Sequence, residues 1–140
     1  MLVELQHAVE QLNLQGDTAE IRGLVWIQGE SDAETKAMSE AYGERLQTLI
    51  SNFRNTVARQ PKLPVLIGLD EQHPAVKLNP EVLALQKRIA AENENVAFSS
   101  MLGLEKADST HLTPDGLQYH GNRLFDDFNK LVKRAKNKND

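Results

Sequence analysis

Apolar residues recur along this chain in two rhythms. In 1–14, Leu2, Leu5, Val9 and Leu12 fall at three- and four-residue steps, the spacing of one helical face. Gly16-Asp17 ends that helix. Ile21–Ile27 instead gathers Ile21, Leu24, Val25, Trp26 and Ile27 into a short run, which predicts a strand buried on both faces. Helical spacing returns in Ala33–Ala58 through Met38, Tyr42, Leu46, Leu49, Ile50, Phe53 and Val57, and Pro61 and Pro64 close it. Val65–Leu69 predicts a second buried strand. Asn79-Pro80 offers an N-cap with proline at the first helical position, and Val82, Leu85 and Ile89 mark the inner face of the helix that follows. Asn95–Ser99 predicts a third strand, and Ser100–Leu112 an irregular loop. Thr113-Pro114-Asp115 opens a last helix with Leu117, Leu124, Phe125, Phe128 and Leu131 turned inward.

Strands that alternate with helices in this order predict an α/β fold, a parallel sheet covered on both faces. One domain spans 1–134, followed by a charged tail, 135–140. Three strands are fewer than most sheets carry, which points to a sheet that is incomplete.

Composition narrows the function. The 140 residues are 40% hydrophobic and 26% charged, the balance of a globular domain, with a formal charge of −4. Outside the tail Lys130–Lys138 no basic block stands out, so no nucleic-acid partner is expected. Cysteine is absent, which excludes disulfides, zinc ribbons and thiol nucleophiles. No apolar run approaches the roughly 20 residues of a membrane span. Met1–Glu10 lacks a basic start followed by an apolar stretch, so no secretory signal is expected in it; the compartment stays open.

In an open parallel sheet, ligands bind beyond the carboxyl ends of the strands. All three predicted strand ends are polar: Gln28-Gly29-Glu30-Ser31-Asp32, Asp70-Glu71-Gln72-His73, and the loop holding Asp108-Ser109-Thr110-His111. Asp108 and His111 suit a general base whose carboxylate partner orients the ring, although on spacing alone Asp-x-x-His is more often an aspartate that caps a turn beside an exposed histidine. Gln28 and Gly29 could face a developing oxyanion; Gly29 could equally permit a sharp turn before a helix capped by Ser31 or Asp32. Glu30 should have hydrogen-bonded partners if buried. Trp26 reads as core, with its ring available to a pocket rim. His73 reads as an exposed loop residue, and His7 and His120 as surface or satisfied helical residues. A metal-dependent hydrolase using Asp70, His73, Asp108 and His111 is a rival reading.

Val25-Trp26-Ile27-Gln28-Gly29-Glu30-Ser31-Asp32-Ala33 resembles the W-x-Q-G-E-S/A-D block of sialate O-acetylesterases and related acetylxylan esterases, members of the SGNH (GDSL-type) hydrolase superfamily. Asp108-Ser109-Thr110-His111-Leu112 is similar to the superfamily's terminal D-x-x-H block. Gly116, Gly121 and Arg123 match the residues that follow that histidine, and Gln86 matches a recurrent Ala-Gln position. The resemblance implies a three-layer α/β/α sandwich, a partial flavodoxin-like sheet of about three strands. It implies a serine esterase that removes acetyl groups from sugars, with an acetylated carbohydrate as partner and no cofactor or metal. His111 would be the base, Asp108 its orienting partner, and Gln28 with Gly29 the oxyanion donors, beside a pocket that includes Glu30 and Trp26. Family members are often secreted or periplasmic.

The chain departs from that pattern in one respect. The family's nucleophile lies on a G-Q-S-N type block upstream of W-x-Q-G-E, yet residues 1–25 contain no serine. Ser31 stands at the family's own S/A position, with Asp32 where a nucleophile elbow has glycine. The expectation is a C-terminal portion of such an esterase, which is the product of a truncated gene, works with a separately supplied piece carrying the serine, or persists as an inert carbohydrate-binding remnant. A missing neighbour would leave Ile21–Ile27 at an open edge, where self-association or a partner strand is expected.

Overall fold

The run Val65–Leu69 is short, wholly apolar apart from Gly68, and bounded by Pro64 and Asp70, as a central parallel strand requires. In the computed structural model, which describes residues 2–136, it is strand β2 (Val65–Leu69), and all five of its residues are buried. It lies between β1 (Leu24–Ile27) and β3 (Val96–Ser100) in a parallel sheet of order β1-β2-β3. Trp26 pairs with Ile67 and Ile67 with Phe98, so consecutive residues project to alternate faces in step across the sheet.

Five α-helices accompany the strands: α1 (Leu2–Leu14), α2 (Lys36–Asn52), α3 (Pro74–Leu78), α4 (Glu81–Glu92) and α5 (Pro114–Lys136). Tyr42, Leu46 and Ile50 of α2 and Val82 and Ile89 of α4 close over Val65, Ile67, Leu69 and Val96 to form the main core. Leu66 points to the opposite face, where α5 packs over β3 and β2. The result is the three-layer α/β/α arrangement with a partial parallel sheet.

Several elements differ from the sequence expectation. β1 begins at Leu24 rather than Ile21 and is not buried on both faces: Val25 is 47% and Ile27 45% exposed. The reason is position, since β1 is the edge strand and α5 sits over its neighbours. The helix expected over Ala33–Ala58 starts at Lys36, where the Thr35 hydroxyl accepts the Met38 N–H at 3.3 Å. It ends in a π-helical turn, Phe53–Ala58. Both Phe53 and Arg54 are buried there, and the Arg54 guanidinium donates to the carbonyls of Leu63 and Asn95. Burial holds that guanidinium below its ordinary pKa.

Asn79 does not cap α4. It ends α3, a helix the periodicity missed for its shortness, and donates its side-chain amide to the Ala33 carbonyl at 2.7 Å. On α5, Leu131 is buried and Leu124 and Phe128 are half-buried as expected, but Leu117 (59%) and Phe125 (68%) are exposed on the helix flank. His120 takes an inward place instead. α5 continues to Lys136, past the expected boundary at 134, and residues 137–140 of the tail lie outside the described part.

Because Ile67 is fully buried at the centre of the core cluster, Ile67→Ala should destabilise the chain by about 2–5 kcal/mol. The check is a urea titration, in which the midpoint falls while the slope stays constant.

Candidate active site

Three parallel strands bring their carboxyl ends to one edge, so the loops 28–35, 70–73 and 101–112 share that edge. The first and third rise from strands separated by one other, a spacing of about 10 Å.

The first loop is fixed from the inside. The Gln28 carbonyl accepts the Tyr42 hydroxyl at 2.9 Å and the Gln86 side-chain amide at 2.9 Å, and that amide also donates to the Tyr42 oxygen at 2.9 Å. Burial, followed by the nearby carboxylates of Asp32 and Glu30, pushes the Tyr42 phenol up to about 12 despite the opposing Gln86 hydrogen bond. It therefore keeps the proton it donates to Gln28. The Gln28 side chain is aimed separately: its Nε2 donates to Asp32 Oδ2 at 2.6 Å, and Arg45 lies 3.5 Å from the other Asp32 oxygen. Ser39 donates to the Asp32 and Thr35 carbonyls. Gly29 is buried at φ +148°, and a Cβ there would stand 2.9 Å from Val82 Cγ1, so both backbone and space exclude a side chain.

The third loop carries the titrating pair. Asp108 Oδ1 accepts the N–H groups of Thr110 and His111, each at 2.7 Å, and Oδ2 accepts His111 Nδ1 at 2.8 Å. With Nδ1–H donating to the carboxylate, Nε2 is left as the proton acceptor. The His111 backbone and side-chain bonds, then the Thr110 N–H, hold the Asp108 carboxyl well below the usual range. Both side chains are exposed.

Not every expected residue joins the site. The Glu30 carboxylate is half-exposed and makes no hydrogen bond or ion pair among the described residues, because it is not buried deeply enough to require one. Trp26 packs against the core cluster and borders a cavity of about 80 Å³ shared with Gln28, Asp32 and Tyr42. His73 is half-buried rather than exposed. Its Nδ1 accepts the Ala75 N–H at 3.3 Å, capping α3, and its Nε2 lies 3.4 Å from the Thr110 hydroxyl. Asp70 is paired with Lys106 at 2.6 Å. The set Asp70, His73, Asp108 and His111 does not converge: among the described residues no three histidine or acidic side chains are grouped to hold a metal ion. His120 is buried with Nε2 unpartnered, not a surface or satisfied residue, and burial together with Arg123 lowers its pKa.

Sequence reading missed Tyr42, Ser39, Asn79 and Lys106 as groups that hold these loops. Their periodicity or loop position carried no sign of the distant carbonyls and carboxylates they meet. Arg123 was noted only by resemblance; it donates to the Ser100 and Leu102 carbonyls at 3.1 and 2.9 Å and secures the start of the third loop.

A parallel α/β sheet whose carboxyl edge carries W-x-Q-G-E-S-D and D-x-x-H defines an SGNH hydrolase. The model of the carbohydrate esterase, sialic acid-specific acetylesterase family matches residues 3–130, and the chain belongs to that family. The crystal structure of a protein from Arabidopsis thaliana is similar to it, with a TM-score of 0.72 and 26% identity over 90% of this chain. That match covers 50% of the Arabidopsis chain, so the present chain spans half its length. No curated protein matches.

Asp108 binds its proton more weakly in the folded chain than in the unfolded one. The stabilisation from its hydrogen bonds is therefore present above the ordinary aspartate value of about 3.9 and is lost only as pH falls through the lower folded value. A carboxyl ¹³C NMR titration should leave Asp108 ionised while ordinary aspartates protonate. A midpoint among theirs would show that the turn does not keep these bonds in solution.

Proposed function

We propose that this chain supplies the base and oxyanion-binding part of a serine acetylesterase acting on O-acetylated sugars of the sialic acid or xylan type. The observation that carries the reading is the 2.8 Å bond from His111 Nδ1 to Asp108, which leaves Nε2 as acceptor on the sheet edge that also bears Gln28. In this mechanism Nε2 takes the proton of a serine hydroxyl supplied from outside residues 1–140. The serine oxygen adds to the acetyl carbonyl, and the oxyanion accepts hydrogen bonds from the Gln28 amide and the Gly29 backbone. His111 returns its proton to the departing sugar oxygen, and water, activated by the same imidazole, releases acetate. Asp108 orients the ring and stabilises its cation. Asp32 leaves the Gln28 amide one N–H to present, since the other is spent on the carboxylate.

This reading takes the serine from outside residues 1–140, because the family's nucleophile block lies upstream of W-x-Q-G-E and residues 1–25 contain no serine. The edge of β1 supports a docking place for it. We infer that a strand pairs there, from the serine-bearing segment or, when residues 1–140 are alone, from a second copy.

Aryl-acetate hydrolysis by the protein from its native source should fall about 10²–10⁴-fold in kcat with His111→Ala and about 10²–10³-fold with Gln28→Ala, with KM little changed and no effect of a chelator. Full turnover with His111→Ala would overturn the reading. Binding of acetylated sugar without turnover in any preparation would replace it with an inert binding role.

Light scattering on residues 1–140 should give a mass above the 15.7 kDa monomer at high concentration, and Ile27→Lys should return it to the monomer. A monodisperse wild-type monomer counts against the edge-pairing proposal.

A further inference from the structure

The turn that carries Asp108 and His111 has little to hold it to the rest of the molecule. Residues 107–111 are all exposed, and none is a large apolar residue that could anchor into the core. Its internal bonds give it shape: the Ala107 N–H donates to the His111 carbonyl at 2.8 Å, Lys106 bridges Leu112 in antiparallel fashion, and Asp108 gathers two N–H groups. None of these fixes where the turn stands relative to the sheet.

Lys106 does. Its ammonium lies 2.6 Å from Asp70 Oδ2 and 3.4 Å from the Ser109 carbonyl, and so joins the end of β2 to the middle of the turn. Asp70 is itself held, because its Oδ1 accepts the Gln72 N–H at 3.1 Å. The Lys106 and Asp70 side chains retain only 12% and 4% of their exposure. A second and longer contact, His73 Nε2 to the Thr110 hydroxyl at 3.4 Å, reaches the turn from the same loop. The next loop segment is tied separately by the Gln72 side chain, which donates to the carbonyls of Met101 and Leu104. Desolvation offsets most of the Coulombic gain of a buried ion pair, and apolar replacements are often as stable. What such a pair adds over an apolar contact is direction: a short charged hydrogen bond fixes the ammonium, and the ammonium fixes the carbonyl of Ser109.

We propose that Lys106, held by Asp70, is a positioning residue that sets the place of the Asp108–His111 pair on the sheet edge. Its catalytic meaning rests on the reading of His111 as the base. The test is NMR on the full chain with Lys106→Met, Lys106→Arg and the neutral pair Asp70→Asn with Lys106→Met. The pair removes both charges and so leaves no lone buried carboxylate to unfold the protein. In the pair variant the melting temperature should stay near wild type and the internal bonds of the turn should persist, while the cross-peak between the His73 ring and the Thr110 methyl group is lost and the residual dipolar couplings of residues 107–111 no longer fit the orientation of the sheet. Lys106→Arg should preserve both signals. A staple that merely stabilises would lower the melting temperature and leave that cross-peak and those couplings as they are, and that outcome overturns the proposal. So would unchanged turn signals in every variant. Ester turnover does not enter this readout, so a failure to hydrolyse acetyl esters counts against the proposed function and not against the tether.

Discussion

Complete burial of β2 between two parallel neighbours is the constraint on which the rest of this structure depends. A strand covered on both faces and along both edges admits apolar side chains only, and Val65, Leu66, Ile67 and Leu69 satisfy it. Parallel pairing then gives all three strands one polarity, so every polar loop that follows a strand opens at the same end. The loops that begin at residues 28, 70 and 101 open at one end of the sheet for this reason, although the chain separates them by tens of positions.

Around that edge two kinds of polar interaction hold the loops. Tyr42, Gln86, Ser39 and Asn79 reach up from the core side and satisfy the carbonyls of the Gln28 loop, where burial would otherwise make an unpaired oxygen costly. Charged groups make the others: Gln28 to Asp32, Lys106 to Asp70 in a buried pair, and His111 to Asp108 at the surface. Neutral bonds set the backbone, and charged ones orient side chains. Three buried polar atoms under α5 and the second loop stand outside this pattern: Glu71 Oε2, Ser99 Oγ and His120 Nε2 have no partner among the described residues.

Membership of the sialic acid-specific acetylesterase family and a fold shared with a protein twice as long place this chain on a known architecture. Val25 and Ile27 are exposed because β1 is the edge strand of the sheet. Nothing in their chemistry distinguishes them from Leu24 and Trp26, which pack against the core helices.

Local pattern was enough for the middle strand and for the helical character of α2, α4 and α5, because each depends on residues at most a few positions apart: an apolar run or a 3.6-residue period; the Asp108–His111 pair was favoured only through the resemblance of its block to D-x-x-H. It also yielded the common edge, since alternation of strand and helix forces parallel pairing. It could not decide which strand lies at the margin, so Val25 and Ile27 were read as buried. It could not decide that Asn79 ends one helix rather than starting another, that His120 turns inward, or that Lys106 meets Asp70. Those outcomes depend on groups 30 to 50 residues apart meeting across packed layers, and only the three-dimensional arrangement of sheet and helices selects which distant carbonyl or carboxylate each side chain reaches.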